Sequence, residues 1–248
     1  MNYLTLEHIK KSYGDKVLFD GLSMSINEGH KIALVARNGT GKTTLLQVIA
    51  GLEGSEGENA KILFKKGLRI EYLTQDPSFN PEHTVIDAVF DSDNQTLIAV
   101  KEYERALLTP GNEARLQAAV NDMEDKKAWD VEARVKEILT KLKIGNFDQK
   151  VNQLSGGQKK RLALAKVLIS EPELLILDEP TNHLDMEMIE WLEEYLQHPG
   201  LTLLLVTHDR YFLENVCNQI LELENGNLYK YSGNYSDYLE KKHAKAEN

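Results

Sequence analysis

The stretch "KIALVARNGTGKTTLLQVIAGL", residues 31–52, constrains the fold more than any other. A short apolar strand runs into a loop holding Gly39 and Gly41, and the loop opens directly into an apolar helical segment at Lys42. A strand that is apolar throughout needs cover on both faces, which places it inside an α/β sheet. The loop has the composition of a phosphate cradle, because glycines let consecutive backbone N–H groups from Gly39 to Thr43 approach an anion at a helix N-terminus. In such a cradle Lys42 reaches the β- and γ-oxygens of a nucleoside triphosphate, and the Thr43 hydroxyl ligates Mg²⁺. The predicted binding segment is therefore Ala36, Arg37, Asn38, Gly39, Thr40, Gly41, Lys42, Thr43 and Thr44. Ala36 stands where the pattern has its first glycine, a departure that a backbone at negative φ tolerates. A glycine-rich turn before an ordinary helix is the plain alternative. The agreement of strand, loop, Lys-Thr pair and helix weighs against it.

A chain of 248 residues accommodates one large α/β domain or a domain carrying a lobe. Lys and Arg number 29 against 39 Asp and Glu, a formal net charge of −10, so no global basic field gathers nucleic acid. The single cysteine, Cys217, excludes an internal disulfide framework; it reads as a buried filler and suits a reducing, cytoplasmic setting. The apolar runs "LTLLLV" and "ELLIL" are far too short to span a membrane.

Residues 2–35 are strand-like ("YLTLEHI", "VLF", "SMSI", "KIALVA"), and "KILFK" and "RIEYL" form a second strand group. From 84 to 144 the period is helical: Leu116, Ala119, Val120 and Met123 share one face, and Val131, Val135, Ile138, Leu139 and Leu142 another, with Pro110-Gly111 between helices. From 173 onward strands and helices alternate ("ELLILD", "MEMIEWLEEYL", "LTLLLVT", "RYFLENV", "QILEL"). The expected organisation is an α/β core at 1–83 and 145–248 interrupted by a helical lobe at 84–144.

Two further stretches carry chemistry. "ELLILDEP", 173–180, delivers Asp178 and Glu179 at the C-terminal end of an apolar strand, where α/β sheets bind ligands. Paired with the phosphate loop, Asp178 is placed to hold Mg²⁺ and Glu179 to act as base toward water attacking the γ-phosphate. "LSGGQKKR", 154–161, sets two glycines at the start of an amphipathic helix, a site suited to an anion.

Together these residues resemble the ATP-binding cassette (ABC) superfamily: "LSGGQ" matches its signature, and "LLILDEPTNHLD" its Walker B segment and D-loop. The resemblance implies an α/β, ABC-type P-loop nucleotide-binding domain with a mainly parallel core sheet, an antiparallel β-subdomain and a helical lobe with an arm-like insertion. It implies ATP and Mg²⁺ as ligands, ATP hydrolysis, and a site completed by a second cassette whose γ-phosphate meets Ser155, Gly156, Gly157 and Gln158. It further implies that Tyr13 stacks on adenine with Val17 beside it, and that Gln75 senses Mg²⁺ and the attacking water. By the same likeness His208 is the switch histidine at the γ-phosphate, and Asp185 is the D-loop aspartate that reaches the partner cassette. Read without the likeness, Tyr13 is a strand-end tyrosine and His208 a structural histidine.

"DEPTNHLD", "THDRYFLENV" and "YSGNYSDYLEKK" resemble the ABC-F family, soluble two-cassette ATPases that act on ribosomes. The implied partners are a second cassette and, through the full-length protein, the ribosome and its RNA. The alternative is the ATP-binding subunit of a membrane transporter. The lobe carries nine Lys or Arg against twelve Asp or Glu, so it is not an evident RNA-binding surface. With one Walker A and one signature, the chain is expected to be the N-terminal cassette of a longer protein, a self-associating single cassette being the other reading.

Overall fold

The computed structural model describes residues 1–36 and 40–247. The chain begins with strands β1 (Asn2–Tyr13), β2 (Lys16–Asn27) and β3 (Lys31–Ala36), helix α1 (Thr40–Ile49), and strands β4 (Lys61–Phe64) and β5 (Ile70–Leu73). Five helices follow: α2 (Val85–Val89), α3 (Gln95–Leu107), α4 (Glu113–Asp125), α5 (Trp129–Lys141) and α6 (Gly156–Ile169). The remainder alternates as β6 (Leu174–Asp178), α7 (Met186–Leu196), β7 (Thr202–Val206), α8 (Arg210–Val216), β8 (Gln219–Glu224), β9 (Asn227–Ser232) and α9 (Tyr235–Ala246).

These elements form two compact units. The first comprises Met1–Gln75, Pro172–Asn182 and Ile189–Asn248; the second comprises Asp76–Glu171 and His183–Met188. In the first, a six-stranded sheet of order β5-β6-β7-β3-β8-β9 is parallel except for the β8/β9 pair, and an antiparallel sheet runs β2-β1-β4. The parallel strands β6 and β7 are buried at every residue, as their unbroken Leu/Ile/Val runs require. One core joins the two sheets and α1: Leu4, Leu6, Ile9, Phe19 and Ile26 pack with Ile32, Leu45, Leu46, Ile176 and Leu204. Each such side chain, fully buried, contributes about 1.5–3 kcal/mol.

Two strand readings are revised here. "VLF" and "SMSI" belong to the single strand β2, which crosses Gly21 at φ 77 and pairs with β1 through register shifts. Strand β9 escaped the sequence reading because "NLYKYS" is nowhere fully buried and alternates polar with aromatic residues.

The second unit is helical. Thr84, Asn94 and Asn112 cap α2, α3 and α4 through their side-chain oxygens, and Ser155 caps α6 in a reciprocal box with Gln158. Helices α3 and α4 form a hairpin whose turn contains Pro110 and Gly111 at φ 86. Helices α2 and α5 pack on α6, whose C-terminal carbonyls of Leu168 and Ile169 accept from the Arg134 guanidinium at 3.1 and 2.9 Å. Helix α6 is not the amphipathic helix expected from its start: Leu162, Ala163, Leu164, Ala165, Val167, Leu168 and Ile169 are all buried, because neighbours cover several of its sides. The compact unit is also broader than the 84–144 stretch read from periodicity, taking in Asp76–Glu171 with the whole signature helix.

Candidate functional site

Four predicted residues come together through the order of the first unit's sheet. Strands β5, β6, β7 and β3 are successive neighbours running the same way, with Leu73 opposite Leu177 and Leu205 opposite both Leu177 and Ala33. Their C-terminal ends therefore share one edge. Gln75 follows β5, Asp178 ends β6, His208 follows β7, and Ala36 ends β3 just before the glycine-rich loop. That edge is where open α/β sheets receive ligands.

The side chains there are linked. The Gln75 amide donates to Asp178 Oδ1 at 3.1 Å. Asp178 is 4% exposed, and the neighbouring Tyr72 hydroxyl is pushed up to about 12 by burial and then by the Asp178 charge. Glu179 stands at φ 51, a left-handed conformation that costs a non-glycine residue about 1–2 kcal/mol. Its backbone N–H is tied to Val206 O at 2.7 Å, which holds the turn. The turn directs the carboxylate toward His208, whose backbone N–H donates to Glu179 Oε2 at 3.4 Å and whose Nε2 lies 3.4 Å from Oε1. Among the described residues Glu179 Oε1 is buried without a hydrogen-bond partner, an acceptor that calls for one.

The loop side is built by close packing. A Cβ added at Gly41 would lie 3.1 Å from Leu223 Cδ2, so the glycine permits α1 to sit tightly over β8. Lys42 is 7% exposed although its charge normally seeks water, whereas Thr43 is exposed and Thr44 half-buried. Arg37, Asn38 and Gly39, and the side chain of Thr40, lie outside the described residues. Tyr13 and Val17 lie on β1 and β2 beside the turn that joins them and are 81% and 51% exposed, so both side chains are open to a ligand.

The donor set fits Mg²⁺: a hydroxyl from Thr43, an amide from Gln75 and the buried carboxylate of Asp178 are hard ligands of low number. Among the described residues no cluster of three or more His, Cys, Asp and Glu forms a transition-metal site.

Ser155, Gly156, Gly157 and Gln158 belong to the second unit. The Ser155 hydroxyl accepts from Gln158 N at 3.1 Å, and Gln158 Oε1 accepts from Ser155 N at 2.8 Å. A Cβ at Gly157 would come within 3.4 Å of His183 Nδ1, while one at Gly156 would meet nothing within 4 Å among the described residues. Asp185 accepts from Lys143 Nζ at 2.7 Å and from Met188 N at 2.9 Å. Nothing in the residue pattern pointed to Lys143 or Tyr72; His183 was visible only as part of "TNHLD". The buried Cys217, its thiol pushed up to about 12 by burial, is the filler it was expected to be. No helix among the described residues is long and apolar enough to cross a membrane.

A parallel strand leading into the glycine-rich segment, a pair of carboxylates at the end of another and a helical unit bearing "LSGGQ" are the features of an ATP-binding domain of cassette type. Residues 19–182 match the family model described as ABC transporter, and the chain belongs to that family. It is 49% identical over 251 residues to the uncharacterized ABC transporter ATP-binding protein YfmR of Bacillus subtilis (strain 168), a match covering 98% of this chain and 39% of the relative. It is 39% identical over 245 residues to the energy-dependent translational throttle protein EttA of Mycobacterium tuberculosis (strain CDC 1551 / Oshkosh), covering 96% of this chain and 43% of that protein. The chain thus spans about two fifths of the length of these curated relatives. A solved structure described as the ATP binding subunit of an ABC transporter superposes with a TM-score of 0.71 at 21% identity, covering 97% of this chain and 93% of the other, which establishes the shared fold.

Proposed function

We propose that this chain is one ATP-hydrolysing cassette of an ABC-F-type ATPase that acts in translation, on the ribosome and its RNA, and that it completes its site with a second cassette. The observation carrying the translational part is the 39% identity to EttA along nearly the whole chain. The stretches "DEPTNHLD" and "YSGNYSDYLEKK" support it.

The chemistry follows from the sheet edge. Tyr13 and Val17 receive the adenine, the 36–44 loop receives the phosphates, and Lys42 supplies the fixed cation at the β- and γ-oxygens. Thr43, Gln75 and Asp178 hold Mg²⁺, which when bound neutralises charge on those oxygens. Glu179 accepts the proton of the attacking water at its buried Oε1, and His208, beside it, donates toward the γ-phosphate. The second cassette is favoured by Gly156: a helix N-terminus keeps a glycine that no described residue of its own chain crowds, which suits the close approach of another molecule's phosphate. Cytoplasmic residence accompanies this reading.

The ATP-binding subunit of a membrane transporter is the second reading, favoured by the name of the Bacillus subtilis relative. Sedimentation separates the two. The Glu179→Gln chain, incubated with ATP and Mg²⁺, is expected to pellet with ribosomes through a sucrose cushion and to stay in the supernatant with membrane vesicles. Pelleting with vesicles and not with ribosomes would overturn the translational reading.

A further inference from the structure

Helix α5 ends at Lys141 with Leu142 as its C-terminal cap, and the next residue, Lys143, stands at φ 56. That position after a helix ordinarily takes glycine, which alone adopts the left-handed conformation without strain. Lys127 after α4 and Glu171 after α6 take nearly the same angle, so what distinguishes Lys143 is its partner. Its Nζ donates to Asp185 Oδ2 at 2.7 Å, and Asp185 Oδ1 in turn accepts from Met188 N at 2.9 Å in the manner of a helix cap. Both side chains are about half exposed, and an exposed ion pair contributes little to stability, so the strain is not explained by stabilisation.

The surroundings indicate what the pair does. Lys143 lines a cavity of about 190 Å³ together with Leu154, Gln158 and Arg161 of the signature and its helix. The signature is also met by His183, whose ring lies against Gly157. Accordingly the segment His183–Met188 forms part of the second unit, with the signature, although it lies between Asn182 and Ile189 of the first in sequence.

We infer that Lys143 is a positioning residue that locks Asp185 and the "LSGGQ" helix start into one block, so that both engage a second cassette's nucleotide in fixed register. The charges agree: hydrogen bonding to Lys143, and then to the Met188 N–H, holds the Asp185 carboxyl below its ordinary range, and the same bond raises Lys143. Arg161 adds a second positive field at Asp185, while Glu187 faces Lys143 from the negative side. The role rests on the cross-cassette reading proposed above and goes beyond it in naming what aligns the two donated segments.

The test uses the Glu179→Gln chain, with ATP and Mg²⁺, followed by light scattering across protein concentration. Adding Lys143→Gly is expected to raise the concentration for half-maximal association about tenfold, since the tie is lost while glycine is at ease at this backbone angle. The melting temperature should not fall, and affinity for a fluorescent ATP analogue, measured on dilute monomer, should stay unchanged. Lys143→Arg, which keeps the charge and the donor, should restore association. Association of the Lys143→Gly chain equal to its parent would overturn the inference, as would a defect that Lys143→Arg shares. Failure of the Glu179→Gln parent itself to associate would instead remove the cross-cassette reading, and this role with it.

Discussion

Helices α3 and α5 bury two carboxylates against each other, Glu104 at 9% exposure and Glu132 at 8%. Burial first, and then the hydrogen bond with Glu132, push the Glu104 carboxyl up to about 7, against an opposing pull from Lys136. Lys136 Nζ lies 3.0 Å from Glu132 Oε1 as an ion pair, and Tyr103 faces Lys136. An unfolded glutamate releases its proton near 4.5, whereas the folded chain keeps this one to about 7. The folded state therefore binds the proton more tightly, and this contribution to stability is complete below 4.5 and lost as pH rises through about 7. At about 1.4 kcal/mol per pH unit, the gap corresponds to about 3 kcal/mol. Glu104→Gln removes the titration and keeps a neutral donor toward Glu132. Urea unfolding from about pH 4 to about pH 8 should show the parent losing about 3 kcal/mol relative to the variant. Trp129, stacked edge-on against Tyr103 at 5.1 Å, reports on this unit once Trp191 is replaced by Phe. A parent-to-variant difference constant within about 0.5 kcal/mol across that range would refute the shared-proton account.

Two further outcomes follow from single side chains. Lys42→Ala should weaken ATP binding about 10- to 100-fold by calorimetry, the loss of a hydrogen-bonded cation worth about 1.5–3 kcal/mol, and unchanged affinity would remove the phosphate-loop assignment. Lys242→Ala leaves Glu222, 4% exposed, with Tyr238 as its remaining side-chain partner from α9, and should cost about 2 kcal/mol in unfolding followed through Trp191 in a Trp129→Phe background.

What could be read from the sequence was what repeats locally or sits at fixed spacing. The buried strands β3, β6 and β7 announce themselves as unbroken apolar runs, and the loop before Lys42 and the carboxylates after β6 follow directly from them. The half-buried strand β9 does not, because its stability comes from pairing with β8 rather than from its own pattern. The candidate site was legible where a motif names each residue. Lys143 was not, since its partner Asp185 lies far along the chain and only the fold brings them within 2.7 Å. Glu104 was legible in principle: it falls on the α3 face of Leu97 and Val100, where a carboxylate at a buried helical position needs a partner.

His208 decides between a structural and a chemical histidine. Its side chain is 84% exposed, so it packs against little, and among the described residues the charged group it approaches is the Glu179 carboxylate, at 3.4 Å. A histidine that supports the fold would be buried or would bond a backbone group. His208→Ala should therefore change unfolding stability by less than about 0.5 kcal/mol, as substitutions at exposed positions do. Turnover at saturating ATP should fall about a hundredfold or more, the scale of a lost donor or proton-transfer partner in the transition state. His208→Gln, which retains a side-chain N–H near the position of Nε2, should recover part of that loss. ATP affinity of the dilute monomer should hardly move, because Lys42, the 36–44 loop and Tyr13 remain. A stability loss above about 1 kcal/mol with turnover intact would mark His208 as a structural residue at the end of β7. Glu179 would then stand alone as the polarising group, with its strained backbone at φ 51 the remaining sign of function at that turn.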